Sequence, residues 1–412
     1  MRAAFILLVG VCVVLSSWGR CISVGKGKAF SSIRSALSAS HHGDTLLVHG
    51  GVYTEGNILV DKRVLLLGIG MPVLDGAYKY EVLTIKADGV VVRGFCVRRS
   101  GMASLDDPGG IKVMDANDVV IEENRLIDNF FGIYIQYGKH CIIRNNVLEA
   151  YGKEEQQIGN GIHCWKSDSL QIIHNSIQGH RDGIYFEFVS HAIIWRNLSC
   201  RNLRYGLHFM FSNDDAYVGN IFRENGAGVA VMYSRRVSMM NNCFEQNWGD
   251  AAYGLLLKEI SDSHLQGNRF IDNTSGIWME GTSRMQILDN LFKRNGWAMQ
   301  VQASCMDNAI LRNNFMANTF DIGTNGSVVL NTLLMNYWQR YEGYDLDRNG
   351  FGDIPFRPLT MFSAVIERKP AAMLLFRSFL VQLLDRSEKV FPSLTPENFI
   401  DTKPSMKPWP LW

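Results

Sequence analysis

An all-β chain wound as a right-handed parallel β-helix is the fold this sequence predicts, with an N-terminal capping helix and a C-terminal helical and extended tail. Three observations predict it. Nine Asn residues, each followed two positions on by an apolar residue or Ser, stand at Asn124, Asn146, Asn175, Asn197, Asn220, Asn242, Asn268, Asn290 and Asn314. Their steps are 22, 29, 22, 23, 22, 26, 22 and 24. A second series, Gly110, Gly132, Gly161, Gly183, Gly206, Gly228, Gly254 and Gly276, runs in phase with steps of 22, 29, 22, 23, 22, 26 and 22, each Gly preceding Ile, Val or Leu. Two series that slip at the same places imply one structural unit repeated end to end, with insertions in its loops. Finally, apolar residues alternate after each Gly, as in Gly132-Ile-Tyr-Ile and Gly183-Ile-Tyr-Phe, which is the two-residue period of a strand with one buried face. A coil of this length buries its inner face only against neighbouring coils, so stability accumulates by stacking. Asn suits the corners, because it tolerates left-handed backbone and its amide can bond the equivalent Asn one rung away. A leucine-rich repeat of similar length is disfavoured: no L-x-x-L-x-L register recurs, and β-branched residues dominate the runs.

The elements follow in order. Residues 1–19 read as a cleavable secretory signal, with Arg2, an apolar core from Ala3 to Leu15 and a small-residue cleavage zone; 13 apolar residues are short for a membrane span. Phe30, Ile33, Ala36 and Leu37 have helical spacing and predict a short helix that covers the open end of the first coil. The β-helix is expected over 20–335, with longer loops at 151–159 and 248–253 where the spacing slips. A junction with an acidic loop occupies 336–360. Residues 361–412 form the tail, with 361–390 expected as a helix and the Pro-rich remainder extended over another surface. The apolar stretch of that helix includes Leu374, Leu375, Phe379, Leu380, Leu383 and Leu384, while Arg377 argues against insertion into lipid. Two roles stand open for it, a dock for a membrane partner and a cap for the solenoid.

Charge is balanced, 41 Lys plus Arg against 40 Asp plus Glu, so no basic field for nucleic acid follows. Cys96, Cys141, Cys164, Cys200, Cys243 and Cys305 fall on different coils without paired spacing, which suits small buried hydrophobes better than a disulfide frame.

Two constellations carry candidate chemistry. Asp345, Asp347, Asn349 and Asp353 place oxygen ligands at alternating positions around Gly350, the opening half of a calcium loop of the EF-hand type. Phe356 stands where a bidentate Glu would complete it, and an acidic turn joining solenoid to tail is the alternative. The second constellation lies on the outward positions of the repeated strand. One column reads Lys112, Tyr134, His163, Tyr185, His208, Ala230, Leu256 and Trp278; the next reads Met114, Gln136, Trp165, Glu187, Met210, Met232, Lys258 and Glu280. His208, Met210 and Met232 fall within one or two rungs, and thioether with imidazole suits Cu(I). A hydrophobic contact patch is the competing reading. A carbohydrate-active enzyme, a polysaccharide lyase or epimerase, is the rival function for such a fold. Its candidate acids would be Asp182, Asp214, Asp215 and Glu187, and no two are placed as a facing pair.

Several segments together resemble the NosD family of nitrous-oxide reductase maturation proteins. They are Phe30-Ser-Ser-Ile33 through Gly51-Val-Tyr53, the central Gly206-Leu-His-Phe-Met-Phe-Ser-Asn-Asp-Asp-Ala-Tyr217, Gly228-Val-Ala-Val-Met-Tyr-Ser234, the loop 344–353 and the tail segment 370–380. The resemblance runs through the whole mature chain in order. It implies a periplasmic accessory protein that catalyses no reaction of its own. Such proteins work with an ABC-type ATPase and its permease, a copper chaperone and nitrous-oxide reductase in assembling the copper–sulfide centre. Copper would be held transiently, and the protein would associate with the inner membrane through its transporter partner. The family brings no ligand set that can be carried over residue by residue.

Overall fold

A computed structural model describes residues 19–102, 107–152, 154–249, 252–326, 330–390 and 399–410. The expected signal, apart from Gly19, and residues 391–398 and 411–412 of the expected extended tail lie outside them. Each coil lends one strand to each of three parallel sheets, and the right-handed β-helix is confirmed. The first sheet, of 14 strands, runs from Cys21–Val24 to Leu330–Leu334. The second, of 13, runs from Val52–Tyr53 to Tyr337–Trp338, and the third, of 12, from Ile58–Val60 to Phe320–Gly323.

Inside, equivalent positions stack on one another. In the first sheet Ile121, Ile143, Ile172, Ile194, Tyr217, Met239, Leu265 and Ile287 are register partners in succession, all buried. In the second, Phe222, Phe244, Phe270, Phe292, Phe315 and Trp338 form a ring stack with centroids 4.1–5.5 Å apart. Offset or parallel rings at this spacing add attraction beyond the apolar area they bury.

The corners explain both sequence series. Between the first and second sheets each Asn side-chain oxygen from Asn146 onward accepts the backbone N–H and the amide of the Asn one rung earlier, while Asn124 accepts the Phe95 N–H. Asn197 thus donates to Asn220 at 2.9 and 3.0 Å, and Asn220 to Asn242 at 2.9 and 3.0 Å. The left-handed residue is the one before each Asn, for example Glu123, His174, Arg196 and Asp289 with φ of 52–55°. The Asn supplies hydrogen bonds and its neighbour supplies the turn, which corrects the expectation that one residue does both. The last member of the series is also corrected: Asn313, not Asn314, receives the amides of Asn290 and passes its own to Asn336. Asn314 begins a strand and binds the backbone of Trp409 instead. Five residues later a second ladder, Asn202, Asn225, Asn247, Asn273, Asn295 and Asn318, turns the chain into the third sheet. The Gly series sits there because the rungs close in: a Cβ on Gly206 would stand 2.8 Å from both the Gly228 carbonyl oxygen and the Asn225 amide nitrogen.

At the N-terminal end, helix α1 (Ile33–Ala39) is capped by Ser32 and buries Ile33, Ala36 and Leu37. At the other end the single helix expected over 361–390 is replaced by three pieces. Helix α2 spans Met361–Arg368, a 3₁₀ turn Pro370–Leu375, and helix α3 Phe379–Val390. Pro370 cannot donate to the preceding turn, and Arg377 takes a left-handed φ of 65°. Helix α2 starts from a Thr360–Ser363 capping box and lies against the third sheet, where Phe362 and Ile366 pack with Phe320 and Val381. The tail then closes the solenoid. Phe399 enters the main core, and Asp401 occupies the place of the next ladder Asn, accepting from Asn336 N–H at 2.9 Å, its amide at 3.1 Å and Trp338 Nε1 at 3.0 Å. Among the described residues no helix is long and apolar enough to cross a membrane.

Candidate functional site

The outward face of the third sheet holds the sequence-predicted cluster. Strand alternation turns Leu207 and Phe209 inward and leaves His208 and Met210 on the other side of the sheet. That side is not open, however. Tyr134, His163, Tyr185 and His208 lie ring against ring, with centroids 4.7, 4.8 and 5.0 Å apart, and Lys112 sits 5.2 Å over Tyr134. Tyr134 is 6 % exposed, His208 5 % and Ala230 fully buried. An outward position is therefore not an exposed one here: side chains stacked about 4.8 Å apart on successive rungs cover one another.

His208 is held from one side only. Its Nδ1 lies 3.5 Å from Asp182 Oδ2 and 3.5 Å from Arg204 Nη2, and its Nε2 is buried with no hydrogen-bond partner. Asp182, fully buried, accepts from Arg204 Nε at 2.8 Å, from Arg204 Nη2 and from the Tyr205 N–H at 3.2 Å. Burial pushes its pKa up, but the Arg204 fork and His208 outweigh this and hold the carboxyl below the usual range. One rung further toward the N-terminus than Tyr185, His163 shares a 2.9 Å hydrogen bond with Asn160, and burial together with Arg181 brings its pKa down to about 3. His163 is a neutral ring in the stack.

Met210 and Met232 are direct register partners on neighbouring strands, both half-buried, and Glu187 is the partner of Met210 on the other side. The Tyr185 hydroxyl lies 3.6 Å from Met210 Sδ and 3.3 Å from Glu187 Oε2. Next to the two thioethers, at the following turn, Phe188, Phe211 and Tyr233 form an exposed stack with centroids 5.2 and 5.1 Å apart. Sequence reasoning missed this ridge, although its signal is plain: an aromatic follows Glu187, Met210 and Met232 at three successive repeats. It also missed Asp182 as the partner of His208, because the two meet only across rungs.

The acidic loop closes on itself. Asp345 accepts the N–H groups of Asn349 and Gly350, Asp353 that of Leu346, and Asp347 the amide of Asn349. Asp345, Asp347, Asn349 and Asp353 thus spend oxygens on their own loop, and among the described residues no three His, Cys, Asp or Glu side chains converge on a point. The candidate acids for sugar chemistry are engaged elsewhere too. Asp214 is forked to Arg236, and Asp215 faces the interior, bonded to the Ala192 N–H at 2.7 Å.

Residues 149–344 match the family described as "Periplasmic copper-binding protein (NosD)". The chain is 27% identical over 345 residues to "Probable ABC transporter binding protein NosD" of Stutzerimonas stutzeri, covering 79% of this chain and 78% of that one. It is likewise 27% identical over 371 residues to the protein of that name in Pseudomonas aeruginosa, covering 85% and 86%. Among solved structures it resembles the catalytic unit of a GH87 α-1,3-glucanase from Streptomyces thermodiastaticus, with 12% identity and a TM-score of 0.59, over 73% of this chain and 63% of that one. It also resembles PfbA, a surface adhesin of Streptococcus pneumoniae, with 12% identity and a TM-score of 0.53, over 71% and 87%. At such identities these two likenesses concern the fold alone.

Proposed function

We propose, from the premise that this chain is a NosD-family protein, that it is a periplasmic accessory factor in the maturation of nitrous-oxide reductase. In this reading it catalyses no reaction. It receives Cu(I) as cargo on the third sheet, at His208, Met210 and Met232, and yields it to the assembly of the copper–sulfide centre, with an ABC transporter and a copper chaperone as partners. The observation that carries the reading is the coincidence of two aligned thioethers with a buried imidazole nitrogen that has no other partner. Soft sulfur and imidazole ligands suit Cu(I), and half-buried thioethers leave it accessible for transfer. Exposed apolar residues of the 3₁₀ turn and of helix α3 support a docking role toward a membrane permease: Leu374 in the turn is 91 % exposed and Phe379 in the helix 80 %, with Leu380 and Leu383 further along the helix.

The test is a Cu(I) titration of the purified protein against a competing chelator. Replacing Met210 and Met232 together by Leu keeps the volume and removes the soft ligands. The affinity is expected to fall at least tenfold with the fold intact. An unchanged titration curve would make the cluster a contact patch only.

A further inference from the structure

We infer that Asp182, clamped by Arg204, is a positioning residue that holds His208 in the Nδ1–H tautomer, so that the buried Nε2 lone pair is the nitrogen ligand of the site. The inference rests on the copper reading only for what the lone pair is used for; the tautomer itself is a property of the metal-free chain.

An ionised carboxylate offers about four acceptor positions, and a buried one is costly unless they are filled. Three are filled here, by Arg204 Nε and the Tyr205 N–H at Oδ1 and by Arg204 Nη2 at Oδ2. The remaining contact of Oδ2 is His208 Nδ1 at 3.5 Å. Arg204 Nη2 also reaches Nδ1, at 3.5 Å, and its second N–H competes with Asp182 for that atom; the carboxylate, whose fourth acceptor position is otherwise empty, is the partner that loses most when Nδ1 carries no proton. A proton on Nδ1 therefore completes the carboxylate. In a neutral imidazole the other nitrogen then carries the lone pair.

That nitrogen, Nε2, is sealed from solvent without a partner, in a ring whose centroid lies 5.0 Å from that of Tyr185 and 4.8 Å from that of Tyr205. Asp182 and Arg204 lie on one side of the ring, so the open valence is on the other. Ala230, the register partner of His208 on the next strand, carries only a methyl and is fully buried. A carboxylate on the far nitrogen of a ligating His is the usual way a protein fixes ring orientation and raises ligand basicity. Asp182 is thus assigned a part in the site, where the sequence offered only a turn Asp before a repeat Gly.

The experiment uses the full chain labelled with ¹⁵N-His, metal-free, with His208 assigned by the signals lost in His208→Gln. The expected result is an N–H on Nδ1 and an unprotonated Nε2. A proton on Nε2, with Nδ1 accepting from Arg204, would overturn the inference. Asp182→Asn, nearly isosteric, presents an amide donor to Nδ1 and is expected to move the proton to Nε2. The same variant should weaken Cu(I) binding roughly 10–100-fold, as loss of an outer partner of a metal-binding His typically does. The loss should vanish in the His208→Gln background, whereas a merely structural Asp182 would weaken both backgrounds equally and so refute the assignment. Should Asp182→Asn not fold, the tautomer of the parent chain decides alone. Failure of the parent to bind Cu(I), with the Nδ1–H tautomer present, would overturn the copper reading and leave the positioning role standing.

Discussion

Replacing Asp215 by Asn should stabilise this protein near neutral pH and remove part of its pH dependence. Asp215 begins a coil on the first sheet, with Oδ1 bonded to the Ala192 N–H at 2.7 Å and Oδ2 buried without a partner. Burial, reinforced by Asp214 and Asp168 and opposed only by the Ala192 N–H, pushes its pKa from 3.8 up to about 8. Between pH 4 and 8 the unfolded chain has lost this proton while the folded chain keeps it, so the native state binds more protons and stability falls as pH rises. Below about pH 4 the drag is absent, and above 8 it is complete. The shift sets a ceiling of about 6 kcal/mol at pH 8, and structural relaxation lowers the expected gain to about 2–4 kcal/mol. The fold itself supplies the precedent. Four repeats later, Asn308 fills the equivalent position, accepting from the Met285 N–H at 2.9 Å and donating to the Thr282 carbonyl at 3.1 Å. An Asn at 215 would meet the carbonyl of Val189 in the same way. Chemical denaturation of both proteins from pH 4 to 9 is the assay. Parallel stability curves, or a variant less stable at pH 8 than the parent, would refute the reasoning.

Asn220→Ala removes two bonds accepted from Asn197 and two donated, to the Ile194 carbonyl and Asn242 Oδ1, and should cost about 3–5 kcal/mol in denaturant unfolding because buried donors are left unmet. Gly206→Ala puts a methyl against the Gly228 carbonyl and the Asn225 amide, both at 2.8 Å, so about 2–4 kcal/mol should be lost although alanine is otherwise benign in a strand. Circular dichroism during thermal melts would register either effect, and a variant melting with the parent would count against the corresponding contact.

What could be read from the sequence was whatever the repeat writes in many copies. The Asn and Gly series sit at corners where every rung makes the same contact, so one structural constraint appears eight or nine times. The second ladder, Asn202 to Asn318, is equally periodic but lies at a separate corner, one that the in-phase Gly series already marks. The slip from Asn313 to Asn314 had a different cause, two adjacent Asn of which only burial and register choose the ladder member. Alternation gave the facing of His208, Met210 and Met232 correctly. Burial of His208 did not follow, since it depends on Tyr205 from another position in the repeat as well as on Tyr185, its column neighbour. The helix expected over 361–390 failed at Pro370, where composition outweighed a known breaker. Segments outside the repeat, such as Phe399 and Asp401, meet the solenoid only in three dimensions and leave no periodic trace.

The tail gives the order of synthesis a physical meaning. A chain made from its N-terminus can stack coils as they appear, and each new coil finds a template in the one before. The growing edge meanwhile presents the unpaired N–H and amide of its newest Asn, together with the open strands of three sheets. For every coil but the last, the next coil ends that exposure. For the last, the exposure ends only with Phe399 and Asp401, some 60 residues after Asn336. Until then the edge of an otherwise finished solenoid can accept a strand from any chain that offers one, including another copy in the same condition. Residues 399–410 thus act as a stamp of completeness: a chain cut short after its repeats keeps nearly all of its core, yet remains adhesive at one end.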